Sequence, residues 1–479
     1  MEWEAVIGLE VHVQVRTETK MFCSCPNLFA QKPNSSTCPV CLGYPGVLPV
    51  PNREAINKTI RAGFMIDAQI NQFSKFDRKA YWYPDMPKNY QITQYDLPFC
   101  EHGHLMIEGK ALTGDVEKKR IGITRIHLEE DVGKSTHHGS HSTIDYNRAG
   151  KPLMEIVSEP DLSTSNEAYV YLTALRQAMQ YADISDCDME KGQMRCDVNI
   201  SMRPVGQQEF NTKVEIKNLN SFKAVHHSIE YEWERQIDIY EEGGEIIQQT
   251  RGWNDAAGET YLMREKEGED DYRYFPEPDM MPVTTTDEEL DTIRELVPET
   301  PAARRQRYVK DYTIPEYDAQ VLCLDKAIAD FYEETVKAGA DTKKASNWIM
   351  TDVLRFLSDE QQTIDDCQLT AENLAALLGL IDKNVISGNI AKKVFEEMFT
   401  SGKAPADIVK EQGLEQDSDT DSIQEFIDKA VADNPQAVED FKAGEDKALN
   451  FLLGQVMKNS KGKANPGMVR QSLIDQFRS

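Results

Sequence analysis

The alternation in "VIGLEVHVQV" constrains this chain more than any other feature. Ile7, Leu9, Val11, Val13 and Val15 fall on one side of an extended strand, and Glu10, His12 and Gln14 fall on the other. A helix would scatter both sets around its surface. The same period of two recurs over 5–15, 121–130, 152–158, 193–202 and 212–219, with helical spacing near 52–66, 166–182 and 221–241. At "ELVPETPAARRQRYV", with Pro298 and Pro301, the composition shifts. Helical spacing then dominates, as in Leu374, Leu377, Leu378 and Ile381 behind the N-cap candidate Thr370. The pattern predicts an α+β protein: an antiparallel-sheet domain over 1–295, an all-helical domain over 296–404 and a small helical tail over 405–479. The stretch 403–422, "KAPADIVKEQGLEQDSDTDS", reads as a hinge with an acidic loop. Three short helices are expected beyond it: one carrying Ile423, Phe426 and Ile427, one carrying Leu449, Leu452 and Val456, and one opened by Asn465-Pro466.

Charge narrows the function classes. Acids exceed bases for a net charge of −28, which repels a polyanion at long range, so any nucleic-acid contact must come from local basic patches. No apolar run reaches the roughly 18 residues of a membrane span. Acids stand at the N-terminus, "MEWEAVIGLEVHV", where a signal peptide would be basic, and the chain is expected to be cytoplasmic. In that reducing compartment nine cysteines do not suggest a disulfide framework, and Cys100, Cys187, Cys196, Cys323 and Cys367 lack ligand spacing. Cys23-Ser-Cys25 and Cys38-Pro-Val-Cys41 are different: two close thiol pairs across a loop suit tetrahedral zinc. Four thiolates would fill the ion's coordination, making the site structural and disfavouring a hydrolase that acts at the zinc.

The polar strand faces hold the candidate chemistry. Strand rise puts Glu10 and His12 about 7 Å apart. "GQMRCDVNISMR" turns Arg195, Asp197, Asn199 and Ser201 away from its apolar set, and "TKVEIKN" does so with Lys213, Glu215 and Lys217. A half-solvated sheet gives the same alternation. Glu129, Glu130 and Asp131 crowd together in "HLEEDVGKSTHHG", and Glu155 sits inside the apolar run 153–157, a costly place for a carboxylate unless it is paired or binds a cation. His12, Glu130 and Glu155 are the candidate ion ligands, with Mg²⁺ or Mn²⁺ both open. An ion pair of Glu155 with Arg148 or Lys151 is the competing reading. "GKST" at 133–136 is not a phosphate loop, because Leu128 stands where its first glycine belongs. "SKFDRKAYWYPDMPKNYQITQYD" interleaves lysines and arginine with tyrosines and tryptophan, equally suited to stacking bases and to packing on a sheet. In the tail, 405–440 carries eleven acids against two bases, whereas 441–479 carries seven bases against three acids. Lys458, Lys461, Lys463 and Arg470 flank "NSKGKANPG", either as a phosphate-binding patch or, for Lys458 and Lys461, as helix C-terminal charges.

Together, "VIGLEVHVQV", "KFDRKAYWYPDMPKNYQITQYD", "DYNRAGKPLMEIVSEPD", "MRCDVNISMRP" and "DDYRYFPEPD" closely resemble the B subunit family of the glutamyl/aspartyl-tRNA amidotransferases, in order along the whole chain. The resemblance implies a cradle-shaped antiparallel domain, a helical domain and a helical tail. It implies ATP-dependent phosphorylation of the side-chain carboxylate on misacylated Glu-tRNA(Gln) or Asp-tRNA(Asn), then displacement by ammonia. His12, Glu130 and Glu155 would hold Mg²⁺ or Mn²⁺, Glu10, Lys79 and Asp197 would be catalytic, and Lys458, Lys461, Lys463 and Arg470 would contact tRNA. By the same resemblance the zinc knuckle would be a feature of some members only. No glutaminase motif is visible, so an amidase A subunit would supply ammonia and a small C subunit would complete a heterotrimer. The rival class is a non-catalytic tRNA-binding scaffold.

Overall fold

A computed structural model describes residues 2–29, 32–265, 272–415, 420–443, 445–460 and 464–477. The chain divides into two compact units, Met1–Thr300 and Pro301–Ser479.

The first unit is built on β1 (Trp3–Gln14), whose inward residues Ile7, Leu9, Val11 and Val13 are at most 1% exposed. Slipping the register by one residue would turn all four outward at about 1.5–3 kcal/mol each, so the alternation fixes the pairing. The short strands β2 (Gln69–Ile70), β3 (Phe73–Ser74), β4 (Asp77–Ala80) and β5 (Tyr90–Thr93) precede β6 (Cys100–Lys110) and the long β7 (Asp115–Glu130). The hairpin β8 (Lys134–His138) and β9 (His141–Asp145) leads into β10 (Pro152–Ser158), β11 (Met194–Pro204) and β12 (Val214–Leu219). β13 (Gln249–Asn254), β14 (Glu259–Glu265), β15 (Phe275–Pro276) and β16 (Val283–Thr284) complete the set. Nine of these form one sheet in the order β14-β13-β12-β11-β1-β10-β7-β6-β2. It is antiparallel except at β12 and β13, which run parallel because the helix between them carries the chain back across the sheet. Lys134, Ser135 and Thr136 lie in β8, so no helix follows "GKST" to receive a phosphate.

Helices α1 (Arg53–Met65), α2 (Ser165–Tyr181), α3 (Phe222–Glu241) and α4 (Asp287–Glu295) join the same core. Asn52, Thr164 and Ser221 cap the first three, each side chain accepting from amides of the first turn.

The second unit is helical, with one hydrophobic cluster running from Tyr308 to Val409 and another from Ile423 to Leu473. Thr370 caps Ala371–Asp382, as its position predicts. Two expectations change here. Part of the hinge is a helix, Pro405–Glu411, that buries Ile408 and Val409 behind a proline in its first turn. An extra helix, Pro435–Lys442, also stands between Thr420–Asp433 and Asp446–Asn459, anchored by Val438 and Phe441. Residues 416–419 of the acidic loop lie outside the described residues.

Candidate ion-binding site and cysteine knuckle

Register across four neighbouring strands aligns Arg195, His12, Glu155 and His127 in one row, from β11 through β1 and β10 to β7. Glu129 lies two residues beyond His127 on the same face of β7, and Glu10 lies two residues before His12, directly across from Asp197. His12 Nε2 is 3.2 Å from Glu155, 3.6 Å from Glu10 and 3.9 Å from Glu129. His127 Nε2 lies 3.5 Å from Glu155 and 3.6 Å from Glu129, so the two imidazoles flank one carboxylate. One ligand atom from each of His12, Glu129 and Glu155 lies within 4.8 Å of the other two, and the same holds for Glu10, His12 and Asp197.

The electrostatics follow from this crowding. Burial disfavours a charged His12, but its hydrogen bond to Glu155 and the charges of Glu155, Glu10 and Glu129 push it up to about 9. Burial would raise Glu155, yet His127 and His12 hold it well below the usual carboxylate range. Glu10 goes the other way, raised by burial and by Glu155. Lys79 lies 4.6 Å from the centre of the Tyr272 ring. Burial opposes its charge, but Tyr274, Glu129 and Glu155 raise it above the usual lysine range.

Glu130 departs from expectation. As the neighbour of Glu129 in a strand it points to the opposite face, where it pairs with buried Lys88 and accepts the Ile92 amide at 2.9 Å. There it lines a cavity of about 240 Å³ with Phe22, Tyr44 and Lys88. Glu129 takes the place by His12 expected for Glu130. The parity was readable: Ile126 and Leu128 face the core, so His127 and Glu129 belong with the polar face and Glu130 does not. Nor does Glu155 pair with Arg148 or Lys151. Arg148 turns to Asp131 at 3.6 Å, and Lys151 donates to the Leu28 carbonyl at 2.8 Å. Asp131, fully buried, also receives Arg195 at 2.9 Å and Gln14 at 2.8 Å, which outweighs its burial and keeps it ionised.

The thiols of Cys23, Cys25, Cys38 and Cys41 gather within 4.8 Å of one another. Zn–S bonds of about 2.3 Å imply a tetrahedral edge of about 3.8 Å, so a small contraction would close the four around an ion. A hydrogen bond from Cys23 holds Cys41 down to about 5 despite partial burial, with the Lys20 ammonium also contributing. Lys20 is itself fully buried, donating to the Ser36 carbonyl at 2.8 Å and lying 3.9 Å from Cys41 Sγ. Gly43 lets the knuckle sit against the loop between β4 and β5, since its φ is +66° and a Cβ there would lie 2.4 Å from that of Lys88.

In the second unit Lys458 is exposed in the last turn of Asp446–Asn459, and Arg470 is exposed on Pro466–Phe477. Lys461 and Lys463 lie outside the described residues. Among the described residues no helix is long and apolar enough to cross a membrane.

A sheet face that gathers His12 with Glu10, Glu129, Glu155 and Asp197 has the donor atoms to hold a cation. Comparison shows the family. Residues 5–291 match the family model of the GatB/GatE catalytic domain, and residues 330–476 match that of the GatB domain. The chain is 52% identical to the B subunit of the aspartyl/glutamyl-tRNA(Asn/Gln) amidotransferase of Carboxydothermus hydrogenoformans over 99% of both chains. It is 52% identical to that of Thermoanaerobacter pseudethanolicus over the whole of both, and 50% identical to that of Halalkalibacterium halodurans over 100% of this chain and 99% of the relative. The chain therefore belongs to the family of these B subunits.

Proposed function

We propose that the chain amidates misacylated tRNA: with ATP it phosphorylates the side-chain carboxylate of Glu-tRNA(Gln) or Asp-tRNA(Asn), and ammonia then displaces phosphate to leave the amide. The carrying observation is the convergence of His12, Glu129 and Glu155 on one face of the sheet. These residues suit Mg²⁺ or Mn²⁺, since two hard carboxylates and an imidazole make a mixed oxygen–nitrogen donor set. A divalent ion bound there would offset charge on the transferring phosphoryl group. Lys79, held charged beside Glu129 and Glu155, would draw the substrate carboxylate towards the cluster. Glu10, whose proton affinity burial and Glu155 raise, would accept the one lost as nitrogen attacks the acyl phosphate. His127, between Glu129 and Glu155, would fix both carboxylates.

Zinc in the cysteine knuckle would brace the strand ends, not enter the reaction. Ammonia would come from an amidase A subunit, with a small C subunit completing a heterotrimer. Lys458, Lys461, Lys463 and Arg470 would contact the tRNA.

The test is co-expression with an amidase partner and assay of Glu-tRNA(Gln) and Asp-tRNA(Asn) with ATP and glutamine, using ¹⁸O in the substrate carboxylate. Amide formation with ¹⁸O passing to inorganic phosphate is the expected result. Unlabelled phosphate would refute carboxylate activation. If Glu155→Gln left tRNA-dependent ATP cleavage unchanged, the chain would be a scaffold.

A further inference from the structure

β12, α3 and β13 form a parallel crossover, and a cavity of about 540 Å³ lies where both strands end and the helix begins. Ligands commonly settle at that place in a sheet, outside the carboxyl ends of parallel strands. Asn218, Asn220, Asn254, Asp255 and Tyr261 supply its polar and aromatic wall, and among the described residues no lysine or arginine lines it. The Trp253 indole N–H donates to Asp255 at 3.0 Å and fixes a carboxylate there. That wall would repel a triphosphate. A nucleobase suits it, because amine protons can meet the carboxylate and the side-chain amides match both kinds of group on a base edge.

Tyr261 links this cavity to the polar face of the sheet. Arg251 and Trp253 turn towards α3, where Arg251 lies 3.2 Å from Glu232 and Trp253 meets the edge of Tyr231. Gly252, between them, therefore faces the other way. The Tyr261 ring covers it, since a Cβ on Gly252 would lie 2.4 Å from the ring's Cζ. The Asn218 amide donates to the Tyr261 hydroxyl at 3.2 Å, and 44% of the tyrosine stays exposed. An aromatic plate thus rests on the strand with one side open.

Register puts this plate in line with the ion ligands. Gly252 pairs with Lys217 on β12, Lys217 bonds Asp197 on β11, and Asp197 pairs with Glu10 on β1. Three strand spacings of about 4.8 Å set the plate about 14 Å from Glu10. A glutamyl ester of adenosine spans a similar length: about nine bonds, each advancing about 1.25 Å, separate its side-chain carboxyl carbon from the glycosidic nitrogen, and the base extends beyond that.

We propose that Tyr261 and the cavity beside it bind the terminal adenosine of the aminoacylated tRNA, with the base stacked on the ring and the amino acid reaching the ion ligands. The adenosine's identity rests on the amidation reading; stacking of a base there does not.

The probe is uncharged tRNA(Gln) with 2-aminopurine in place of its terminal adenine, bound without ATP to the full-length chain in complex with an amidase partner. A label on the other end of the tRNA reports saturation. At saturation the aminopurine fluorescence should fall below its level in free tRNA. The quench should persist in Tyr261→Phe and vanish in Tyr261→Ala and in Gly252→Ala, where the added methyl group pushes the ring off the strand. In turnover, Tyr261→Ala should raise KM for Glu-tRNA(Gln) about tenfold, the scale of one stacked base, and leave KM for ATP unchanged. No quench at saturation, or one that survives either alanine variant, overturns the proposal. So does a quench of aminopurine riboside triphosphate that Tyr261→Ala abolishes, because the plate would then belong to ATP. A complex that binds no tRNA overturns this proposal and the amidation reading together. The quench involves no amide formation, so its failure with tRNA bound is separate from a failure of the ¹⁸O experiment.

Discussion

Ion binding at the His12 cluster should tighten steeply as pH rises from 7 to 9. In the ion-free protein Glu155, Glu10 and Glu129 override burial and push His12 up to about 9. A nitrogen ligand must shed its proton before it binds a metal. At pH 7 that displacement costs about 2.7 kcal/mol, two pKa units at 1.36 kcal/mol each, or roughly 100-fold in affinity. The Kd for Mn²⁺ should therefore fall about tenfold per pH unit up to 9 and then level off. Folding carries the opposite sign. His12 has a pKa above its unfolded value of about 6.5, so its contribution is complete below that pH and is lost as pH rises through about 9. The ion-free chain should lose about 3 kcal/mol across this window, whereas the ion-saturated chain, with His12 already neutral, should not. Mn²⁺ titrations followed by electron paramagnetic resonance, paired with urea unfolding at each pH, measure both. A Kd that does not move between pH 7 and 9 would refute this account of His12.

Glu129→Gln should abolish the tight Mn²⁺ site and reduce amide formation at least 100-fold. Lys88→Met, read by urea unfolding, should cost about 3–5 kcal/mol by stranding buried Glu130 and yet leave Mn²⁺ affinity unchanged. Stripping zinc, or changing Cys41→Ser, should lower the melting temperature while activity per folded molecule, measured at low temperature, stays close to wild type. Lys458→Ala with Arg470→Ala should weaken tRNA binding and flatten its salt dependence by up to about 0.9 for each phosphate no longer neutralised, without changing single-turnover phosphoryl transfer at saturating tRNA.

Much of the first unit was legible because burying one face of a sheet leaves a period of two in the sequence. The alternation in β1 located His12 and Glu10 correctly, and Ser221, Thr164 and Asn52 are side chains that can cap the helices that follow them. Choosing between Glu129 and Glu130 required carrying that parity along β7, where two adjacent acids hide it. His127 was harder to assign. It draws its role from a neighbour on another strand, Glu155 on β10. Such pairings depend on strand order, which local periodicity does not contain. The helix at Pro435–Lys442 went unread for a different reason, since eight residues with Val438 and Phe441 buried give little more than two turns of pattern.

The most direct test is anomalous scattering from crystals of the full-length chain grown with Mn²⁺ and a non-hydrolysable ATP analogue. The account predicts a manganese peak within bonding distance of His12, Glu129 and Glu155, with the analogue's phosphates reaching it. A peak beside Glu130 and Lys88, or density for the nucleotide away from the β1–β10–β7 face, would contradict it.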